Sequence, residues 1–174
     1  MKKTLTITLI ALFFISCGHK TSNDFLSHFS QYCGQSFAGK TVFPDDPEHD
    51  FAGKKLIMTI AECSEKEIRV PFQVGENTSR TWIITRTNKG LLLKHDHRHE
   101  DGTPDEVTMY GGYEDQASTA LKVNFAADEA TATMLPEAST NVWTLSFDKD
   151  NKHFIYSLTR HNQPRYEAIF DLTQ

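Results

Sequence analysis

The chain has 174 residues, of which 39% are hydrophobic, enough for one domain with a buried core. Its 23 acidic side chains exceed its 18 basic ones, and the formal net charge is −5. Such an acidic surface argues against the binding of nucleic acid and against electrostatic docking on anionic lipid.

The first segment has the pattern of a bacterial secretion signal. Lys2 and Lys3 form a short cationic region, and an apolar stretch follows over residues 5–15. This stretch is shorter than the roughly 20 apolar residues of a membrane-spanning helix, but it has the length of the hydrophobic region of a signal peptide. It ends at Ser16 and Cys17, and a small residue before a cysteine resembles the lipobox of bacterial lipoproteins.

The lipobox resemblance implies that residues 1–16 are removed and that Cys17 becomes the lipidated first residue of the mature chain. Without the two signal-peptide lysines, 16 basic side chains remain against 23 acidic ones, a charge of −7. We therefore expect a lipid-anchored protein of the cell envelope, in the outer membrane or at the periplasmic face of the inner membrane. The short, polar residues 17–22 predict a tether, and residues 23–174 a single domain.

Two further cysteines, Cys33 and Cys63, remain in the mature chain. An even pair in an oxidising compartment favours a disulfide, and two free buried thiols are the alternative. The bridge would close a loop of about 30 residues and add roughly 3–4 kcal/mol to stability.

One helix is predicted at the start of the domain. Asn23 or Asp24 can cap it, Phe25 and Phe29 recur at helical spacing, and Gly34 follows as a stop. We expect the helix to present one aromatic stripe to a core.

Beyond the helix, apolar and polar residues alternate at the period of a β-strand. In residues 68–74, for example, Ile68, Val70 and Phe72 face one way while Arg69 faces the other. Similar segments cover residues 35–43, 55–63, 80–87, 91–99, 106–110, 119–125, 131–135, 141–147, 153–160 and 165–172.

The connections between these segments are short and rich in turn-forming residues, such as those at 88–90, 148–151 and 161–164. About ten strands in sequence-adjacent order predict an antiparallel meander. Strands with a single apolar face close into a barrel or pack as a two-sheet sandwich, and we favour the barrel.

Two resemblances accompany this pattern. The short helix followed by a glycine-containing first strand, Gly34–Gly39, resembles the opening of lipocalin-type, or calycin, barrels and implies that architecture. The stretch KHDHRHEDGTPD at 94–105, with Thr108–Gly112 and Asn141–Trp143, is similar to a family of uncharacterised bacterial secreted proteins and lipoproteins. That similarity implies no particular activity.

The sharpest local pattern is a group of histidines. On the strand predicted over 91–99, His95, His97 and His99 share one face. Imidazoles about 7 Å apart on one face can converge on a metal ion, and Glu106 on the next strand is a candidate for a further ligand. The alternative is a polar strand end whose histidines are solvated or hydrogen-bonded to neighbours. If the leucines before them on this face point inward, the histidines line the mouth of the barrel.

Three arginines, Arg80, Arg86 and Arg98, lie on neighbouring predicted strands among acidic side chains. Cross-strand ion pairs on an outer face account for this pattern. Alternatively, these arginines form a charged wall that binds the headgroup of an anionic ligand.

The sequence has no Gly-x-Ser-x-Gly elbow, no phosphate-binding glycine loop and no His-Glu-x-x-His motif. We therefore expect neither an enzyme nor a cofactor. The favoured interpretation is a barrel that binds a small amphipathic ligand in its lumen, with the membrane contacted through the N-terminal lipid and no nucleic acid partner. Two alternatives are an interaction or inhibitor protein with a filled core, and a metal-binding protein built on the histidine strand.

Overall fold

A computed structural model describes the backbone of residues 20–174 and the side chains from Phe25 onward. The predicted signal peptide and Cys17 lie outside the described residues. None of the helices between residues 20 and 174 is long and apolar enough to cross a membrane.

Helix α1 spans Lys20–Phe29 and continues as a 3₁₀ turn over Ser30–Tyr32. Helix α2 spans Glu129–Met134 and is followed by a 3₁₀ turn over Pro136–Ala138. The strands are β1 (Ser36–Phe43), β2 (Leu56–Thr59), β3 (Glu62–Cys63), β4 (Glu67–Val74), β5 (Asn77–Thr87), β6 (Gly90–His97), β7 (Tyr110–Tyr113), β8 (Lys122–Ala126), β9 (Val142–Phe147), β10 (His153–Arg160) and β11 (Gln163–Asp171).

The strands form one antiparallel sheet in the order β7-β6-β5-β4-β2-β1-β11-β10-β9-β8, with β3 paired to β4. The two outermost strands, β7 and β8, approach each other and are joined by a bridge between Glu114 and Phe125. The sheet therefore nearly closes into a barrel. The prediction of a mainly β, antiparallel barrel with a short N-terminal helix is confirmed, and the alternative of a two-sheet sandwich is not observed.

The seam between β7 and β8 is completed by the start of helix α2. The Thr131 hydroxyl accepts a hydrogen bond from the amide of Gly111 at 2.7 Å and lies 2.8 Å from the Gly111 carbonyl oxygen, to which it can donate. The amide of Asp128 also donates to that carbonyl, at 2.9 Å. Lys94 of β6 pairs with the Asp128 carboxylate at 2.6 Å. These contacts satisfy backbone groups that an open sheet edge would leave unpaired.

Among the differences between the predicted elements and the structure, three have a clear local description. In the segment 131–135, the residues up to Met134 are helical rather than extended, because Asp128 accepts a hydrogen bond from the Thr131 amide and caps helix α2. The segment 106–110 is irregular up to Tyr110, since the Asp105 side chain accepts from the Val107 amide in a local turn. Helix α1 begins at Lys20 rather than at residue 23 or 24, so it includes part of the predicted tether.

Helix α1 packs across one end of the barrel, which we call the helix end. The rings of Phe25 and Phe29 are fully buried and contact Phe147 and Phe154 at centroid distances of 5.7 and 4.8 Å. The aromatic stripe predicted for the helix therefore faces the core. The predicted disulfide is also confirmed: Cys33–Cys63 joins the chain after the 3₁₀ turn to strand β3.

In an antiparallel meander, successive connections alternate between the two ends of the barrel. Helix α1 leads into the start of β1, so the end of β1 lies at the opposite, open end. The connections at the open end cover residues 44–55, 75–76, 98–109, 127–141 and 161–162.

Candidate functional site

A cleft of about 400 Å³ opens between the connections of the open end. Its floor consists of five side chains from five strands, which we call the aromatic floor: Trp82, His95, Tyr110, Trp143 and Tyr156. Trp82 lies opposite His95 in the ladder, and His95 lies opposite Tyr110. Residues in register point to the same face of a sheet. The burial of Trp82 and His95 shows that this face is the interior one.

The aromatic floor closes off the interior of the barrel beneath the cleft. Trp82 and Tyr156 stack at a centroid distance of 4.5 Å and an interplanar angle of 5°, although their strands, β5 and β10, are not neighbours. The ring of Phe170 lies against Trp82 at 6.3 Å and is fully buried. The space available to a ligand is therefore confined to the mouth of the barrel and does not extend through its length.

His95 is 3% exposed and is held by both ring nitrogens. Its Nδ1 lies 3.2 Å from the carbonyl oxygen of Tyr110, and its Nε2 lies 3.0 Å from the hydroxyl of Tyr156. A carbonyl only accepts, so Nδ1 carries the proton and Nε2 accepts from the phenol. Burial lowers the pKa of His95 to about 3, which keeps the ring neutral, and burial raises the pKa of Tyr156 well above its ordinary value.

The structure separates the three histidines that sequence grouped together. His97 lines the cleft and is hydrogen-bonded through Nε2 to the hydroxyl of Tyr110 at 3.0 Å. Burial, and then the charge of Arg80, lowers the pKa of His97. His99 follows the end of β6 on the exposed surface, where its Nε2 lies 3.8 Å from a carboxylate oxygen of Glu106.

Both ring nitrogens of His95 are occupied, so this residue has no lone pair left for a metal ion. Within residues 25–174, no group of three or more His, Cys, Asp and Glu side chains is arranged to hold one. The hypothesis of a metal centre at His95, His97, His99 and Glu106 therefore receives no support from this geometry. Leu91 and Leu93 are buried, so the condition set for the histidine face is met, and His95 and His97 line the mouth of the barrel.

Three arginines surround the cleft, and we call them the arginine rim: Arg80, Arg160 and Arg165. Arg80 donates to the side-chain oxygen of Asn77 at 2.8 Å, and Arg160 donates to that of Asn141 at 2.8 Å. In the part of the chain that the structure describes, no carboxylate is within ion-pair distance of any of the three. No ion pair therefore offsets the positive charge of the rim within the described chain.

Of the arginines that sequence proposed for an anionic ligand, only Arg80 lies at the cleft. Arg86, at the other end of β5, donates to the carbonyl oxygen of Glu65 near the helix end. Arg98 pairs with Asp96 at 3.0 Å on the outer side of the barrel. Sequence reasoning missed Arg160 and Arg165, although both flank the predicted turn at 161–164.

Two hydrogen-bond donors in the aromatic floor lack an acceptor among the described side chains and backbone. Trp82 is 1% exposed and Trp143 is 2% exposed, and a buried indole N–H usually has an acceptor. Among residues 25–174, neither indole donates to a protein atom, yet both nitrogens keep some accessible surface. Both rings line the cleft, so these two N–H groups are candidate donors to a ligand there.

The connection between β1 and β2 forms one wall of the cleft. Phe51 packs edge-on against Tyr166 at 5.4 Å, and the guanidinium of Arg80 lies 5.2 Å from the centre of the Phe51 ring. His49 stacks on Tyr166 at 5.5 Å. No sequence pattern placed His49 and Phe51 at the site, because their connection has no strand periodicity.

No family model, curated protein or solved structure matches the chain at a significant level. A functional assignment therefore depends on the cleft itself: its volume, its aromatic floor, its two open indole donors and its unpaired arginine rim.

Proposed function

We propose that this protein is anchored in the cell envelope by a lipid on Cys17 and binds a small amphipathic ligand in the cleft at the open end of its barrel. The observation that carries the binding proposal is the aromatic floor, where Trp82 and Trp143 present unpaired donors to a cleft of about 400 Å³. Cavities of roughly 300–1,000 Å³ with apolar walls and a few placed polar groups are typical of small-molecule sites.

The cleft offers both parts of an amphipathic site. The floor supplies aromatic surface for an apolar body, and Val107 and Leu158 extend that surface up the walls. The rim supplies charged hydrogen-bond donors at the solvent boundary. An apolar body on the floor would displace water from aromatic surface, which is the main favourable contribution to such binding.

The ligand proposal is tested with a neutral apolar probe, N-phenyl-1-naphthylamine. Trp82 and Trp143 are the two tryptophans of the chain and both line the cleft, so energy transfer from tryptophan to the probe reports its binding to the protein. Among the described residues, the core cluster lies between Phe25 and Leu172 and every strand begins after Gln35, so the chain from Gly18 onward is suited to this titration. Saturable transfer with a single site supports the proposal, and transfer that does not saturate contradicts it.

A matched pair of variants locates the probe. Val107 lines the cleft and is 38% exposed, whereas Val42 is 36% exposed and lies away from it. The substitution Val107→Asp should weaken probe binding about fivefold by placing a charge on the apolar wall, and Val42→Asp should leave it unchanged. Equal effects of the two substitutions would place the probe elsewhere.

The anchor is tested separately in the bacterial cell. Radiolabelled palmitate should enter the full-length chain, and Cys17→Ala should abolish the incorporation because the thiol that takes the lipid is missing. Cys33→Ala removes a cysteine outside the predicted lipobox and should leave the label in place. A wild-type chain without label contradicts the anchor.

A second candidate function is that of an interaction protein with a filled core. The packed interior beneath the aromatic floor favours it, as do the exposed side chains of Val107 and Met109 on the connection between β6 and β7. This candidate predicts no saturable uptake of the neutral probe, and the titration therefore separates the two functions.

A further inference from the structure

We infer that the ligand of the cleft is an organic anion: an amphipathic molecule whose carboxylate or phosphate group binds the arginine rim while its apolar part lies on the aromatic floor. This inference rests on the proposed function and specifies its ligand class. The juxtaposition that carries it is three arginines without a carboxylate partner, beside two indole donors without a protein acceptor, among the described residues.

The composition makes the unpaired arginines unexpected. Acidic side chains outnumber basic ones by 23 to 18, and two arginines outside the cleft have carboxylate partners, Arg69 with Glu67 and Arg98 with Asp96. Three of the six arginines of the chain nevertheless line the cleft, and none of the described lysines does. Arginine, with its planar fork of donors, is the cation that suits bidentate binding of carboxylate and phosphate.

Two of the rim arginines are oriented by neutral groups. Arg80 and Arg160 are half-buried, and each donates to an asparagine side chain rather than to an acid. Asn141, the partner of Arg160, is itself 4% exposed. A neutral acceptor holds a guanidinium in place without cancelling its charge, and each guanidinium keeps further N–H groups for a ligand.

The donors and acceptors of the cleft differ in whether they are hydrogen-bonded within the protein. The phenol oxygens of Tyr110, Tyr156 and Tyr166 already share hydrogen bonds with His97, His95 and Thr41. The indole N–H groups of Trp82 and Trp143 have no protein acceptor among the described residues. The floor of the cleft thus presents N–H donors while its phenol oxygens are hydrogen-bonded within the protein, so a complementary ligand places acceptors on the floor.

Two carboxylates also line the cleft, and they limit the charge of the ligand. Asp50 and Glu137 are both exposed, and neither is within ion-pair distance of an arginine in the described chain. The balance of three guanidinium groups against two carboxylates leaves one net positive charge at the mouth. This balance fits a ligand that carries one or two negative charges at one end.

The test compares two probes that differ in one charged group. 1-Anilinonaphthalene-8-sulfonate is N-phenyl-1-naphthylamine with an added sulfonate, so the ratio of their dissociation constants isolates the contribution of the anion. The protein should bind the sulfonate about tenfold more tightly than the neutral compound at low salt, and added salt should reduce this preference. Equal binding of the two probes overturns the inference but leaves the proposed function standing, whereas failure of both probes to bind overturns the proposed function.

Arginine variants test whether the rim causes the tighter binding of the sulfonate probe. Arg165→Gln, at an exposed position, and Arg80→Gln should each lower the affinity for the sulfonate about fivefold and change the affinity for the neutral probe less than twofold. Arg86→Gln, near the helix end, is the matched control and should change neither affinity. Arg165 has no partner in the described chain, so its substitution tests the inference even if the Arg80 variant folds poorly. An unchanged preference in Arg165→Gln and Arg80→Gln overturns the assignment.

Competition identifies the chemistry of the anionic group. Decanoate, decyl phosphate and decanol share one apolar chain and differ in the headgroup. We expect decanoate or decyl phosphate to displace the sulfonate probe at concentrations at least about tenfold lower than decanol, and the more effective of the two identifies the preferred anion. Displacement by decanol at the same concentration as both anions contradicts the inference.

Discussion

The hydroxyl of Tyr156 donates a hydrogen bond to Nε2 of His95 at 3.0 Å, across the interior of the barrel. The two residues belong to β10 and β6, which are not neighbours in the sheet. The bond therefore ties opposite walls together beneath the cleft. It also occupies the only lone pair of a neutral imidazole whose other nitrogen donates to the Tyr110 carbonyl.

Removal of this hydroxyl should destabilise the barrel. In Tyr156→Phe, the Nε2 atom of the buried His95 loses its partner, and an unsatisfied buried acceptor costs about 1–3 kcal/mol. We expect a loss of about 2 kcal/mol in the free energy of unfolding, measured by urea titration. Tyr113→Phe is the control, since the Tyr113 hydroxyl has no protein hydrogen bond in the described chain. Equal losses in the two variants would contradict a structural role for the bond.

The buried imidazole of His95 should make stability depend on pH. Its pKa in the folded protein is about 3, below the ordinary value of 6.5, so between these values the unfolded chain binds a proton that the folded chain does not. The contribution of the neutral His95 to the free energy of unfolding is therefore fully present above about pH 6.5 and is lost as the pH falls towards 3. From His95 alone, we expect a loss of about 2 kcal/mol between pH 7 and pH 5.

The control for this prediction is His95→Gln, which cannot titrate. The variant should be less stable than the wild type at pH 7, but its free energy of unfolding should decline less between pH 7 and pH 5, by about 2 kcal/mol. Parallel pH profiles of the two proteins would show that His95 is not the group responsible.

The seam of the barrel depends on a close approach at Gly112. A Cβ atom at this position would overlap the carbonyl oxygen of Ala126 on the facing strand, so a side chain cannot be added without movement of backbone. Gly112→Ala should lower the free energy of unfolding by about 2–3 kcal/mol. Gly102→Ala serves as the comparison, because Gly102 has a positive φ but no atom within 4 Å of the added Cβ, and it should cost about 1 kcal/mol. A smaller loss at Gly112 than at Gly102 would show that the seam is not closely packed.

The alternation of apolar and polar residues predicts most strands of the barrel, but it does not predict the arginine rim. In a meander, every added strand moves all later connections to the opposite end of the barrel. The sequence predicts a strand over 131–135, and with that strand the turn beyond Arg160 would lie at the other end from Arg80. Because the segment is helix α2 instead, Arg160 and Arg165 lie at the same end as Arg80. The placement of the rim therefore depends on a helix, and not a strand, between β8 and β9.

The histidine pattern shows a different limit of sequence reasoning. Strand alternation correctly places His95 and His97 on one face, and the structure shows that this face is the interior one, but alternation does not reveal what faces them from across the barrel. Tyr156 and Tyr110 hold the two imidazoles, and these contacts connect residues 61 and 13 positions apart in the chain. The contact with Tyr156 depends on barrel closure, which sequence periodicity alone does not determine, whereas Tyr110 lies on the neighbouring strand β7.

The disulfide should contribute to stability without contributing to the cleft. Cys33 and Cys63 are 30 positions apart, and a cross-link of that span stabilises a protein by roughly 3–4 kcal/mol, chiefly through the entropy of the unfolded chain. The double substitution Cys33→Ser and Cys63→Ser should lower the free energy of unfolding by about that amount. Because the bridge lies at the helix end and the cleft at the open end, the affinity for N-phenyl-1-naphthylamine should stay within about twofold of the wild type. A loss below about 1 kcal/mol would contradict the stabilising role, and a fall in probe affinity with the near-ultraviolet circular dichroism unchanged would show that the two ends of the barrel are coupled.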